Sequence, residues 1–256
     1  MQSSLSVSRN DGRAATELRP VSFVPGANPY AEGSCEVSFG RTRVLCTASV
    51  EKETPKWMGQ ATGESGGVQP LLRGWITAEY GMLPRSTHTR NKREAASGKQ
   101  GGRTMEIQRL IGRALRRAIS LEAIPGLTIK IDCDVICADG GTRTAAISGS
   151  WVALYQSLLW AKRSGLIAEL PKFSNIAAIS VGVHRGTPLL DLNYDEDSSA
   201  EFDLNLVAND RGEIIEIQGT GEGGELPLDQ LVSLIELARQ GTTQLIELQQ
   251  ATICKL

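Results

Sequence analysis

The sequence predicts an α+β fold in which strands run through a glycine loop into a helix, twice over. Three observations carry this. Apolar residues alternate with period two around 34–50 and 127–137, and 176–218 reads as an antiparallel meander between turns. Helical stripes at 104–119 and 143–161 each follow a glycine pair. The order of strands, glycine loop and helix recurs in the two halves, without short-period repeats or low-complexity tracts. At 256 residues the chain can bury one sizeable core, so a single domain over 1–256 is expected.

Taken in order, residues 1–20 are polar, with a turn-like start at Arg9, Asp11, Gly12 and Arg13, and predict an arm or a first edge element. Cys35, Val37 and Phe39 alternate, Gly40 turns the chain, and Val44, Cys46 and Ala48 alternate again: a β-hairpin. Residues 51–73 mix Lys, Pro, Gly, Gln and Ser without period and predict a mobile loop. A short strand is expected at 75–80, then a basic, irregular stretch from Gly81 to Gly102. From 104 to 119, Ile107, Leu110, Ile111, Ala114, Leu115 and Ala118 share one stripe while the arginines lie off it. Pro125-Gly126 breaks the chain before a strand at 127–137, and the mostly apolar helix at 143–161 belongs under a sheet. An antiparallel meander spans 176–218, turning at Arg185-Gly186 and at Asn209–Gly212. Gly219–Gly224 is a glycine-rich connection, and two helices, at 227–239 and 242–253, close the chain.

Composition is ordinary for a globular protein, and no apolar run approaches the ~20 residues a membrane span needs. Five cysteines (35, 46, 133, 137 and 254), with no Cys-x-x-Cys pair, fit small apolar residues in a reducing cytoplasm, not a disulfide or zinc framework. Formal charge is −2 overall, yet Arg85–Arg117 holds ten basic residues against Glu94 and Glu106. Such a block in an acidic chain points to a polyanionic partner at one place.

Two glycine-led junctions fall beside that block. Gly101-Gly102-Arg103-Thr104 and Gly140-Gly141-Thr142-Arg143-Thr144 each place backbone N–H groups at a helix start, where the dipole favours an anion. Threonine adds a hydroxyl, and arginine adds a two-pronged donor matched to phosphate. The pair suggests one phosphate held from two sides. The second constellation is acidic: Asp195, Glu196, Asp197, Glu201 and Asp203 are five carboxylates in nine positions. On a strand beginning near Ala200, Phe202, Leu204 and Leu206 point one way and Glu201, Asp203 and Asn205 the other, with Asp197 in the preceding loop. Were Asp197 and Asp203 to converge, a proton or a divalent cation would relieve their repulsion, and oxygen ligands favour Mg²⁺ or Mn²⁺. No covalent nucleophile is evident. His184 reads as structural, and His88, among basic residues, as a possible RNA contact. These pieces suit phosphoryl transfer on a nucleic acid. By themselves they leave open whether phosphate is the attacking group.

The stretches Gly74–Arg93, Lys99–Leu110 and Asp132–Ala146 closely resemble bacterial ribonuclease PH, and the resemblance runs from Asp11-Gly12-Arg13 through Val44–Glu51 to Gln218-Gly219-Thr220. It implies the ribonuclease PH fold, with duplicated βαβ halves like the second domain of ribosomal protein S5. It implies a phosphate-dependent 3′-to-5′ exoribonuclease that trims precursor tRNA, releases nucleoside 5′-diphosphates and assembles as a homohexamer, a trimer of dimers. Position by position, phosphate binding falls on Arg103, Gly141, Thr142 and Arg143. The metal-holding, leaving-group-assisting acids fall on Asp197 and Asp203, and RNA contacts on Arg85, Arg90 and Arg93. The pattern departs at a longer loop (52–73), at 222–226 and at Asn10, where proline is frequent. The competing class is a non-catalytic ring subunit of exosome type. The intact Arg103, Thr142, Arg143, Asp197 and Asp203 speak against it.

Overall fold

The hairpin expected at 34–50 lies at the centre of a five-stranded sheet in the computed structural model, which describes residues 9–58, 61–62, 68–69, 73–221 and 223–256. Strand β2 (Gly33–Phe39) pairs antiparallel with β3 (Thr42–Glu51), and the inward set Cys35, Val37, Phe39, Val44, Cys46 and Ala48 is fully buried. The first edge element lies just beyond 1–20, as β1 (Val21–Pro25), paired with β2. Part of the 52–73 loop lies outside the described residues; within it a two-residue pair, β4 (Ala61–Thr62) with β5 (Val68–Gln69), is formed.

Strand β6 (Trp75–Met82) reaches past the expected 75–80 and runs parallel to β7 (Thr128–Cys137), completing the order β1-β2-β3-β7-β6. Parallel neighbours need a crossover. It is made by α1 (Glu94–Ser97), a short helix inside the stretch read as irregular, and by α2 (Gly102–Leu115). Helix α2 starts and ends earlier than the expected 104–119, and Ala118 and Ile119 stay buried beyond it.

Helix α3 (Thr142–Arg163) is buried nearly all round, as its apolar composition requires, because β2 and β3 cover one side and the second sheet the other. That second sheet is wholly antiparallel: β8 (Ile176–His184), β9 (Thr187–Leu190), β10 (Phe202–Asn209) and β11 (Ile214–Thr220), in the order β11-β10-β8-β9. One buried apolar cluster joins both sheets and their helices.

The two terminal helices are a single one, α5 (Leu228–Ile253). Gly241 is not a break. A Cβ there would stand 2.7 Å from Leu190 Cδ1 and 3.3 Å from Ile179 Cγ1, so the glycine lets α5 lie close on the second sheet. Gln249 on the same helix is buried, and its Nε2 donates to Ser148 O (2.9 Å) and Ile176 O (3.1 Å), tying α5 to α3 and β8.

Within residues 9–20 the arginines turn inward. Arg9 makes a bidentate pair with Glu196 (2.8 and 2.7 Å) and donates to Leu190 O and Asp191 O. Glu196 also closes a capping box with Asn193 at the start of α4 (Tyr194–Asp197), a short helix interrupting the meander. Removing one partner of a buried ion pair strands the other charge. Arg9→Met is therefore expected to lower stability by about 3–5 kcal/mol, read as a shifted urea midpoint with unchanged slope; a midpoint within error of wild type would show that the pair does not hold α4.

Candidate active site

The second glycine junction is built for a tight turn. Gly140 and Gly141 have φ of +78° and +67°, and a Cβ on Gly140 would lie 2.6 Å from Leu192 O, so only glycine fits. The loop is clamped from below: Thr42 Oγ1 donates to Gly140 O (2.7 Å), and Arg19 donates to Asp139 O while paired with the fully buried Asp191 at 2.7 Å. Helix α3 then begins on Thr142, whose Oγ1 lies 2.9 Å from the hydroxyl of buried Tyr80 on β6. Burial pushes the Tyr80 phenol up, against the hydrogen bond with Thr142 and the charges of Arg103 and Arg143. Arg143 turns outward, and its Nη1 donates to Gln218 Oε1 (2.9 Å) and Glu106 Oε1 (3.3 Å).

The first glycine junction differs from the anion cradle the sequence suggests. Glu94 of α1 already fills it, its Oε1 accepting from Gly101 N (3.1 Å) and Thr104 Oγ1 (2.8 Å). A carboxylate is the natural occupant of a helix N-terminus. What this junction offers to a ligand is the side chain of Arg103, one residue into α2.

The acidic group arrives from two elements. Asp197 ends α4 and so sits on a helical turn, not in the loop expected; Asp203 lies on β10. The register pairs Asp203 with Thr220 and Asn205 with Gln218, which puts these four on one face of the second sheet, as the alternation predicts. Leu204 and Leu206 take the opposite, buried face.

One cavity of about 810 Å³ collects these groups: Arg103 from α2, Gly141, Thr142 and Arg143 from α3, Asp197 from α4 and Asp203 from β10. Formal charges on its walls are two arginines against Glu106, Asp197 and Asp203, so as built it disfavours an anion. A divalent cation would reverse that balance. Among the described residues no group of three or more His, Cys, Asp or Glu side chains could hold a metal on its own. Two carboxylates, however, match the ligand set Mg²⁺ takes when water and substrate phosphates complete its shell.

The sequence-predicted RNA contacts are placed differently from one another. A second cavity, about 640 Å³, shares Arg103 with the first and is lined by Arg93, Lys92, Lys99, Met82 and Asp134, the last raised by burial. Arg85 and Arg90 are exposed on the loop leading to it and line neither cavity. That loop is ordered by Asn91 N to Pro84 O (2.8 Å) and Ala138 N to Ser86 O (2.8 Å), and His88 packs edge-on against Tyr194 of the first cavity (centroids 5.8 Å). His184 is near Ser199 (3.3 Å) and lines neither cavity. Sequence alone assigns no site role to Tyr80, Glu94, Glu106 or Gln218. The partner of Tyr80 is 62 residues away, so nothing local separates it from a core aromatic.

Comparison with known proteins agrees with this architecture. The model "3' exoribonuclease family, domain 1" matches residues 17–159, and "3' exoribonuclease family, domain 2" matches 174–241. The chain is 53% identical over 245 residues to "Ribonuclease PH" of Methylobacterium radiotolerans, covering 96% of this chain and 99% of that one. It is 52% identical over 248 residues to "Ribonuclease PH" of Rhodospirillum rubrum, covering 97% and 99%. Among solved structures, the Archaeoglobus fulgidus exosome with RNA bound to the active site has a similar fold: TM-score 0.77, 21% identity, 94% of this chain and 92% of that one. An archaeal exosome core gives TM-score 0.74 at 19% identity, over 95% and 91%. With half its length and more matched by the first family model, and near-complete relatives above half identity, the chain belongs to the ribonuclease PH family of 3′ exoribonucleases.

Proposed function

We propose that this protein is a phosphate-dependent 3′-to-5′ exoribonuclease and, in reverse, a nucleotidyltransferase adding nucleotides from nucleoside diphosphates to tRNA 3′ ends. The observation that carries this is the single cavity in which Arg103, Thr142 and Arg143 face Asp197 and Asp203. Inorganic phosphate, held by Arg103 and by the Gly141–Arg143 junction, would direct one oxygen at the terminal phosphodiester of the RNA. The new P–O bond makes a nucleoside 5′-diphosphate, and the bond to the 3′-oxygen of the preceding nucleotide breaks. Phosphate is already an oxyanion, so no strong base is needed; the 3′-oxygen needs a proton, which a carboxylic acid of the Asp197–Asp203 pair can give. The chief barrier is repulsion between two anions, which the guanidinium groups offset by fixed geometry in a shielded site. The Asp197–Asp203 pair would hold Mg²⁺ or Mn²⁺ with one acid ionised and the other still carrying the proton it gives up; the ion when bound supplies positive charge at the scissile phosphate.

Incubation with oligoadenylate and Mg²⁺, with and without phosphate, tests the reading. Adenosine diphosphate released only with phosphate is expected. Monophosphates would mean hydrolysis, and untouched RNA would mean a non-catalytic ring subunit.

We read Arg85, Arg90 and Arg93 as contacts to the RNA backbone. Replacing all three with alanine is expected to raise the KM for RNA, leave the KM for phosphate unchanged and lower the log–log salt slope of RNA affinity by about 2, since each phosphate contact on a single strand contributes about 0.7. An unaltered slope would remove the assignment. We also read the chain as one domain over 1–256, located in the cytoplasm, acting on precursor tRNA as a homohexamer. Support for assembly comes from exposed apolar surface on the edge strand β11 (Ile214, Ile217) and on the first turns of α5 (Leu228, Val232).

A further inference from the structure

We infer that Tyr80 is a positioning residue for phosphate: its phenol hydroxyl, 2.9 Å from Thr142 Oγ1, sets the direction in which Thr142 presents its own O–H to the anion. This rests on the reading that Thr142 holds phosphate. The two residues come from different elements, β6 and the first turn of α3, and both are buried, Tyr80 to 4% and Thr142 to 8% exposure. A threonine hydroxyl has one proton and two lone pairs, so it can serve an anion only if its proton is not committed elsewhere. Phosphate oxygens accept. With phosphate bound, the Thr142 proton must point into the cavity, and Tyr80 must be the donor to Thr142.

The surroundings favour that polarity. The phenol is buried and held neutral, so it keeps a proton to give. Arg103 and Arg143 lie near enough to be felt at the phenol, and they are the other phosphate donors. The chain Tyr80 O–H to Thr142 O–H to phosphate oxygen runs head to tail, and each link polarises the next in a site of low dielectric. Without Tyr80, the Thr142 rotor loses the donor that turns its proton toward the anion. Tyr80 also lines the neighbouring cavity that Arg103 shares, but its hydroxyl is bonded to Thr142, so removing the hydroxyl alone should act on the anion bound on the Thr142 side.

The test is steady-state phosphorolysis of oligoadenylate by Tyr80→Phe, which removes only the hydroxyl. The KM for phosphate is expected to rise about three- to tenfold, the range of one neutral hydrogen bond, with kcat and the KM for RNA within twofold of wild type. In a Thr142→Val background, Tyr80→Phe should have no further effect on phosphate, whereas in a Thr142→Ser background it should keep its effect. Equal rises in both KM values, a fall in kcat with melting temperature, or an undiminished effect in Thr142→Val would make Tyr80 a packing residue and overturn the inference. If Thr142→Val raises the phosphate KM but Tyr80→Phe does not, the inference fails while the phosphate site stands. If Thr142→Val itself leaves phosphate untouched, the site reading fails first. Should Tyr80→Phe fold poorly, 3-fluorotyrosine at position 80, a stronger donor, is expected to lower the phosphate KM; an unchanged or higher value would overturn the inference.

Discussion

Arg103→Ala is expected to abolish phosphorolysis while leaving most RNA binding in place. Arg103 is the one charged side chain that lines both the anion-facing cavity and the neighbouring basic one, and it stands one residue into α2, where Glu94 already fills the glycine junction. The backbone of that junction cannot substitute for the lost guanidinium. Loss of a preorganised cationic donor at a transferring phosphoryl group costs roughly 10³-fold in kcat/KM. RNA affinity depends on several cations and should change far less. Arg103→Lys keeps the charge but not the fork, and should recover only part of the rate. The measurement is nucleoside diphosphate release under saturating RNA, beside equilibrium binding of the same RNA. Wild-type release by Arg103→Ala would sink the site as described.

Asp203→Asn is expected to lower kcat by roughly 10²–10⁴-fold, the usual range for a lost general acid, with phosphate binding measured without added metal unchanged or tighter. The direction of the second effect is the informative part. With no cation bound the cavity walls carry three carboxylates against two arginines, and asparagine removes one negative charge at almost constant volume. Metal-free phosphate binding should therefore ease even as turnover with Mg²⁺ collapses. A merely structural aspartate would move both parameters the same way. Asp197→Asn should behave alike, and the double variant should cost little more than either single one, because the pair acts as a unit. Wild-type kcat in Asp203→Asn would remove both the metal and the proton-donor roles.

Much of this was legible in the chain because its signals are local. Period-two alternation located β2, β3, β7 and β10, since one buried face forces every second residue to be apolar, while β8, buried on both faces, was marked by the turns around it. Glycine pairs before apolar stripes located the starts of α2 and α3. The alternation of Phe202, Leu204 and Leu206 placed Asp203 and Asn205 on the polar face. Where the reading failed, the deciding neighbour was distant in sequence. The chain end reads as two helices, 227–239 and 242–253, but they are one, and Leu190 supplies the reason for the missing side chain at Gly241 between them. Arg9 falls in the stretch read as an arm or a first edge element, but Glu196, 187 residues later, pairs with it in the interior. Gly101 looked like an open anion cradle, but Glu94 returns to it through the turn of a four-residue helix.

The sequence by itself determined the fold class and the order of most elements, and it nominated the residues proposed to meet phosphate and RNA. Only the tertiary structure decided that Arg103, Thr142, Arg143, Asp197 and Asp203 share one cavity, and that Tyr80 and Gln218 touch two of them. The reason is physical: hydrophobic periodicity and turn chemistry act over a few residues, whereas a site is made where four separate elements are pressed together by burial of a common core.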